Sequence, residues 1–173
     1  MTQDPPPSTC PECGLEVRLG DERCRRCDLA LDQPLSDERI AAHEAGHALV
    51  AYCVGATVDR IEAYFSEFGA VTAVADSPDG PADRTIAAGG SAAEWETCPG
   101  DPFRWRYASD SDLNGGDVTG EDLGTAKALI RQHREAHAAL TAVVLEARLE
   151  RSVVSGSDVH ALLEGHQVTR PSR

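Results

Sequence analysis

The sequence is short of basic residues and of long apolar runs, and each shortage excludes a class of protein. Lys and Arg total 16 against 29 Asp and Glu, which gives a formal net charge of −13 at pH 7. Binding to nucleic acid or to anionic lipid needs clustered cations, so we expect neither partner. No apolar run approaches the roughly 20 residues of a membrane helix, and the N-terminus lacks the basic and apolar segments of a secretory signal. We therefore expect a cytoplasmic protein with no membrane partner.

Aromatic residues are also few, at 5% of the chain, whereas hydrophobic residues make up 41% and charged residues 26%. This composition is typical of a globular protein rather than a disordered one. With so few aromatic rings available, the core must be built mainly from Ala, Val, Leu and Ile. The length suits one domain with a small appendage.

The order of apolar residues, caps and turns predicts a mainly α fold with a small β-hairpin. A helix opens at Ser36 and stops near Gly55, because Ser36 is a good N-cap and acidic residues follow it. Further helices are predicted at 83–97, 121–133, 135–150 and 157–164. Strands are predicted at 57–64 and 69–75, a turn at 77–81, and a long loop at 98–120. The predicted divisions are a disordered segment (1–9), a zinc ribbon (10–28), a metallopeptidase domain (36–165) and a frayed tail (166–173).

The run HEAGH at residues 43–47 is the strongest catalytic signal in the sequence. Residues four apart share one face of a helix, so His43 and His47 can present two imidazole nitrogens to one Zn²⁺. Glu44 can then act as the general base on a water whose pKa the zinc lowers. Gly46 is costly inside a helix, which suggests that a strand or a substrate approaches closely there. The pattern predicts a catalytic zinc site, although HExxH also occurs by chance.

A third zinc ligand is not fixed by the motif itself. The metzincin pattern would place a His where Cys53 stands, so that class is disfavoured. Glu62 and Glu67 lie at a distance that a thermolysin-like ligand could have, but in a strand-like segment, and they are weak candidates.

Three further stretches accompany the motif and carry a family resemblance. The four landmarks, in chain order, are AAHEAGHALVAY at 41–52, AAGGSAAE at 87–94, VTGEDLGTAKALI at 118–130 and LTAVVLEARLERSVVSGSDVHALLEG at 140–165. Together they resemble the peptidase domain of the FtsH family, the M41 zinc metallopeptidases, over roughly residues 36–165. The resemblance implies a zincin-like M41 domain that hydrolyses peptide bonds with a zinc-activated water.

The resemblance also implies a third ligand, the Asp of a DL motif at a helix start, which is Asp122 here. Asp112, in the run SDSDL, is the competing choice, but the residues after it are not helical. Glu94, at the end of the AAE stretch, is either an exposed helix residue or a carboxylate that orients a ligating His.

The chain departs from the family in lacking an AAA ATPase module and a GxxxxGK[ST] phosphate loop. We therefore expect a stand-alone, ATP-independent metalloendopeptidase that acts on peptides or unfolded protein. An ATPase acting in trans is compatible with this expectation. The alternative is a catalytically silent M41-like adaptor or protein-interaction module, which the retained Glu44 disfavours.

The N-terminal cysteines form the pattern C-x2-C-x10-C-x2-C. Two CxxC knuckles supply four thiolates, which suits a closed structural Zn²⁺ site and a zinc ribbon; the ligands are Cys10, Cys13, Cys24 and Cys27. The ribbon is equally suited to docking a protein partner and to simple stabilisation. Cys53 and Cys98 are expected to be buried and inert. The remaining histidines, expected at the surface, are His133, His137, His160 and His166.

Overall fold

The computed structural model describes residues 8–9, 16–17, 36–66, 69–76, 80–97 and 118–171. The helices of this part are α1 (Asp37–Cys53), α2 (Gly80–Thr97), α3 (Gly120–Gln132), α4 (Arg134–Leu149) and α5 (Gly156–Gly165). The strands are β1 (Ser8–Thr9), β2 (Glu16–Val17), β3 (Thr57–Ser66), β4 (Gly69–Ala75) and β5 (Val153–Ser155).

Helix α1 is the centre of the domain. Ser36 caps it, as predicted: the Ser36 hydroxyl accepts a hydrogen bond from the amide of Arg39 at 3.2 Å. The chain leaves the helix through Gly55, whose φ of +90° suits a residue without a side chain. Almost every residue of α1 is buried, because the helix packs against α2 on one side and against α4 and the sheet on others. Side chains on α1 are therefore held by the core from several directions.

The sheet has the order β4-β3-β5, and both pairings are antiparallel. The hairpin of β3 and β4 was predicted from the sequence and is present, with Ile61 opposite Thr72. Strand β5 was not predicted; its Val154 lies opposite Ile61 on the other side of β3. Strand β4 therefore forms one edge of the described sheet, and it also packs against α1.

Helix α2 begins earlier than predicted, since Gly80 and Pro81, expected in a turn, already belong to its first turn. Pro is well tolerated there because the first amides of a helix have no partner within it. The starts of α3, α4 and α5 fall within one residue of the predicted positions.

The C-terminal residues do not form the frayed tail that their polar sequence predicts. Val168 is buried, and the guanidinium of Arg170 donates hydrogen bonds to the carbonyls of Gly55 and Ala56 at 2.8 and 3.0 Å. The tail prediction is wrong here because these two side chains find acceptors and apolar surface at the end of α1.

At the other end, Ser8 and Thr9 pair with β2 instead of being disordered. This short antiparallel pair brackets the first CxxC in the sequence. The four ribbon cysteines lie outside the described residues, as do Glu67, Cys98 and Asp112. No helix in the described part of the chain has both the length and the apolar character to cross a bilayer.

Candidate metal centre

His43 and His47 meet on one face of α1, as their spacing predicts. Their Nε2 atoms are 3.0 Å apart, and the rings stand edge to face with centroids 4.7 Å apart. His43 is buried, and His47 is partly exposed. The two imidazoles thus direct the same nitrogen towards one point.

The outer nitrogens of both rings are already engaged by acceptors. His43 Nδ1 lies 2.6 Å from Glu94 Oε1, and His47 Nδ1 lies 2.8 Å from the carbonyl oxygen of Ile86. A carbonyl and a carboxylate only accept, so each Nδ1 donates, and a neutral ring then presents the lone pair of its Nε2. With both rings neutral, the two lone pairs that face each other at 3.0 Å repel unless a cation lies between them. Two ligands about 2.05 Å from a tetrahedral zinc ion would be about 3.3 Å apart, which is close to the observed spacing.

Glycines on the neighbouring helix make room for this arrangement. A Cβ atom at Gly90 would lie 2.4 Å from the imidazole of His43. A Cβ at Gly46 would lie 2.4 Å from the carbonyl oxygen of Gly89, so the close approach at Gly46 is to helix α2. The expectation of a strand or a substrate at Gly46 is therefore wrong. The small residues of the AAGG stretch bring α2 against the face of α1 that carries His43.

Glu94 is fully buried, so the interpretation of it as an exposed helix residue is wrong. One carboxylate oxygen contacts His43 and the other accepts from Arg39 Nε at 2.6 Å. Arg39 is itself buried and forms an ion pair with the same oxygen through its Nη2. Glu94 therefore contacts and orients His43, and the part of the second interpretation that makes His43 a metal ligand stays a prediction.

Glu44 is buried beside the pair, and strand β4 fixes its position. The hydroxyl of Thr72 lies 2.7 Å from Glu44 Oε2 and 3.1 Å from the Glu44 backbone carbonyl. With a single proton, that hydroxyl anchors the carboxylate at one oxygen and leaves the other for a different contact. No pattern in the sequence pointed to Thr72, which is the one residue with a polar side chain in strand β4 (GAVTAVA).

Asp122 occupies the third position of α3 and forms a capping box with Thr119. Its Oδ2 accepts from the Thr119 amide at 2.9 Å, from the Thr119 hydroxyl at 2.7 Å and from Arg84 Nε at 3.2 Å. These hydrogen bonds from Thr119, with a smaller effect of Arg84, hold the pKa of Asp122 below its ordinary value. Asp122 is thus a carboxylate at neutral pH.

Within the described ranges, no three His, Cys, Asp or Glu side chains gather closely enough to hold a metal ion. The structure brings His43 and His47 together and does not add Asp122 to them. Glu62, a weak candidate from the sequence, pairs with Arg60 on the same strand at 2.7 Å. Asp112 and Glu67 fall outside the described residues.

A cavity of about 640 Å³ lies between the start of α1, the ends of α2 and α3, and the start of α4. Arg39, Ala42 and His137 contribute to its wall, but the three motif side chains do not. The cavity therefore does not open onto the motif side chains, and it meets their surroundings only at Arg39, which contacts Glu94.

His137 was expected at the surface and is instead buried, so that prediction is wrong. Its Nε2 donates to the carbonyl of Ala42 in the middle of α1 at 2.9 Å. Burial lowers the pKa of His137, and the hydrogen bond to Ala42 opposes this effect only in part. The ring is neutral at physiological pH and ties α4 to the helix that carries the motif.

Comparison with known proteins gives one family match. The sequence model of the Peptidase M50B-like family matches residues 27–93, a stretch that includes HEAGH and the Gly-rich part of α2. This match supports a metallopeptidase-type family and, in general, a zinc-dependent peptidase function. M50 is a different family from M41, which the sequence landmarks resemble. No curated protein matches the chain.

Proposed function

We propose that this protein is a zinc-dependent metalloendopeptidase whose metal is held by His43 and His47. The observation that carries the proposal is the pair of converging Nε2 atoms, 3.0 Å apart, with both Nδ1 atoms hydrogen-bonded elsewhere. The peptidase family match over residues 27–93 agrees with this chemistry.

The residues present fit a zinc ion by their donor set. Neutral imidazoles with a hydrogen-bonded second nitrogen are the usual arrangement of histidine ligands of zinc. Gly90 leaves His43 the space to take up its orientation. When bound, zinc would polarise the peptide carbonyl and lower the pKa of a water ligand.

Glu44 is the proposed general base. Glu44 is the residue after His43 in α1, and the Thr72 hydroxyl donates to its Oε2 at 2.7 Å. The other oxygen can take a proton from the attacking water and pass it to the leaving amine. Burial of Glu44 and the apolar neighbours on α1 restrict bulk water around this transfer.

For the third ligand we retain Asp122, with Asp112 as the alternative. Asp122 is an ionised, buried carboxylate, which suits the role. To bind the same ion as the two histidines, it would have to exchange contacts with Thr119 and Arg84 for the metal. The zinc affinities of Asp122→Asn and Asp112→Asn distinguish the two candidates. A loss of zinc affinity in Asp112→Asn alone would reject Asp122 as the third ligand.

The proposed substrate is an extended segment of peptide or unfolded protein. Strand β4 lies at the edge of the described sheet and touches Glu44 through Thr72. An extended chain that adds to such an edge presents its carbonyls in regular order beside the general base. The four ribbon cysteines would hold a second, structural zinc ion.

The metal site is tested by counting zinc ions by native mass spectrometry. His43→Ala and His47→Ala should each lose one zinc ion, while the exposed His166→Ala should keep the wild-type count. An unchanged count in both motif variants would reject the site.

Catalysis is tested separately with unfolded casein as substrate. Glu44→Gln should keep the zinc ion and lose about a hundredfold or more in cleavage rate, since general-base catalysis contributes about 10²- to 10⁴-fold. Glu150→Gln, at an exposed position, is the matched control. A wild-type protein that binds zinc but cleaves neither casein nor a broad peptide library would support the interaction module instead.

A further inference from the structure

A buried chain of contacts runs from Arg39 through Glu94 to His43. Arg39 lies one helical turn before His43 on α1, and Glu94 reaches both residues from α2. The two oxygens of the Glu94 carboxylate have different partners. Oε2 accepts from Arg39 Nε and Oε1 contacts His43 Nδ1, each at 2.6 Å. Arg39 and Glu94 are 3% and 0% exposed, so water contributes little to either group.

Charge balance makes Arg39 necessary for this geometry. A buried carboxylate is strongly disfavoured without a cation, and a neutral His43 supplies none. Arg39 provides the positive charge, and its planar guanidinium restricts the rotation of the carboxylate. With Oε2 held by Arg39, Oε1 stays directed at His43. Loss of Arg39 would leave the carboxylate free to turn from His43 towards any other donor or towards water.

We propose that Arg39 is a positioning residue of the metal centre, which acts on His43 through Glu94. This inference rests on the proposed function, because it assumes that His43 binds the metal. Arg39 touches neither the metal nor the substrate in this scheme. Its contribution is to fix the orientation of the His43 ring and hence the affinity of the site.

A purely structural role for Arg39, as a tie between α1 and α2, is the competing explanation, and Arg148 provides a matched control. Arg148 is also a buried arginine at 5% exposure, and it also joins distant elements. Its Nε donates to Asp37 at 2.5 Å and its Nη1 to the carbonyl of Ala63 at 3.0 Å. These partners lie outside the metal centre, so Arg148→Met should reduce stability without changing the site.

The experiment is a competition of the full-length protein with a chromophoric chelator for Zn²⁺. The metal bound by wild type and lost in His43→Ala defines the histidine site, which separates it from the cysteine cluster. Arg39→Met should weaken this site about 10- to 100-fold, the usual effect of losing an outer partner of a metal-bound His. Arg148→Met should stay within about twofold of wild type.

A double-mutant cycle tests whether Arg39 acts through Glu94. Once Glu94→Gln has removed the carboxylate charge, adding Arg39→Met should produce no further loss of affinity. The visible absorption spectrum of bound Co²⁺ is a second readout. Arg39→Met and Glu94→Gln should change the absorption bands of Co²⁺ with nitrogen and oxygen ligands in the same way. Arg39→Lys keeps the charge but not the planar contact, and it should give an intermediate affinity. If Arg39→Met does not fold, Arg39→Lys replaces it in the cycle, and its effect on zinc affinity is measured in the wild-type protein and in Glu94→Gln.

The outcomes separate the two hypotheses. The role of Arg39 would be overturned if Arg39→Met and Arg39→Lys both kept the wild-type zinc affinity. Loss of the metal in His43→Ala in the same experiment would still support the zinc site. Equal losses in Arg39→Met and Arg148→Met would also overturn it, in favour of a structural role. No metal loss in His43→Ala would reject the proposed function itself, and the inference would fail with it.

Discussion

Gly90 lies directly against the imidazole of His43, and this contact can be tested by adding one carbon atom. In Gly90→Ala the new Cβ would come within 2.4 Å of the ring, so the ring must move. We expect at least a tenfold loss of zinc affinity, comparable with about 10- to 100-fold for lost outer partners. Chelator competition measures the change.

Gly124→Ala is the control for Gly90→Ala. Gly124 also lies within a helix, but a Cβ there meets nothing within 4 Å. Because Ala forms helix better than Gly, this variant should gain about 0.5 to 1 kcal/mol of stability and keep its zinc affinity. Equal zinc affinity in both variants would contradict the packing of Gly90 against His43.

The burial of His137 predicts a dependence of stability on pH. Its pKa lies below the ordinary 6.5 in the folded protein, so the unfolded chain binds more protons as the pH falls through that region. The stabilisation is fully present above about pH 6.5 and is lost progressively below it. In His137→Gln, which cannot titrate but can still donate to Ala42, the fall in unfolding free energy between pH 7 and pH 5 should be smaller.

This measurement is made by urea denaturation with a chelator present, so that metal release from His43 and His47 does not contribute. His133 and His160 also have lowered pKa values because of burial, and they should leave a residual slope of the same sign. An identical slope in wild type and His137→Gln would show that the pKa of His137 is the same in the folded and unfolded states, and would contradict its lowered value.

At the scale of elements, the start of helix α3 depends on Thr119. The Thr119 hydroxyl accepts a hydrogen bond from the backbone amide of Asp122. In return, the hydroxyl and the backbone amide of Thr119 both donate to the Asp122 carboxylate. Thr119→Ala should therefore cost about 1 kcal/mol of unfolding free energy and raise the pKa of Asp122 towards its ordinary value. Urea denaturation measures the first effect and carboxyl NMR titration the second.

Ser155→Ala, at the start of α5, is matched to Thr119→Ala. Ser155 likewise accepts from the amide of an Asp three residues on, Asp158, and it should lose a similar amount of stability. Its loss should leave zinc binding unchanged. If Asp122 is the third zinc ligand, only Thr119→Ala will alter zinc affinity as well as stability.

The elements that local signals define could be predicted from the sequence, and those defined by distant partners could not. Ser36 gave the start of α1 because an N-cap acts within three residues of itself. Strand β5 has only three residues, too few to show alternation, and exists because β3 lies beside it. His137 occupies an ordinary position of an amphipathic helix, and only the packing of α4 on α1 brings it to Ala42.

The same limit applies to the candidate site. The spacing in HEAGH was enough to bring His43 and His47 together, because both lie on one helix. Arg39 could have been noticed as a charged residue one turn before His43, but its partner Glu94 is 55 residues away. Thr72 likewise reaches Glu44 only through the packing of β4 on α1. Asp122 as third ligand stays a prediction.

At the scale of the whole molecule, the C-terminal residues return to the end of α1. Removal of residues 168–173 should cost about 2 to 5 kcal/mol, because Val168 loses its burial and the charged hydrogen bonds of Arg170 disappear. A chain ending at Pro171 is the control and should unfold like wild type. Urea denaturation measures both, and equal midpoints would contradict the packing of this segment.

Nearly every other element of the domain packs against helix α1. Because its histidines reach their native positions only when the core has assembled around them, a cation that binds both rings binds the folded chain and not the unfolded one. Folding and metal binding then share one equilibrium, and each tenfold rise of free zinc above the dissociation constant adds about 1.4 kcal/mol to the stability of the fold. The melting temperature of the domain would report the free zinc concentration around it.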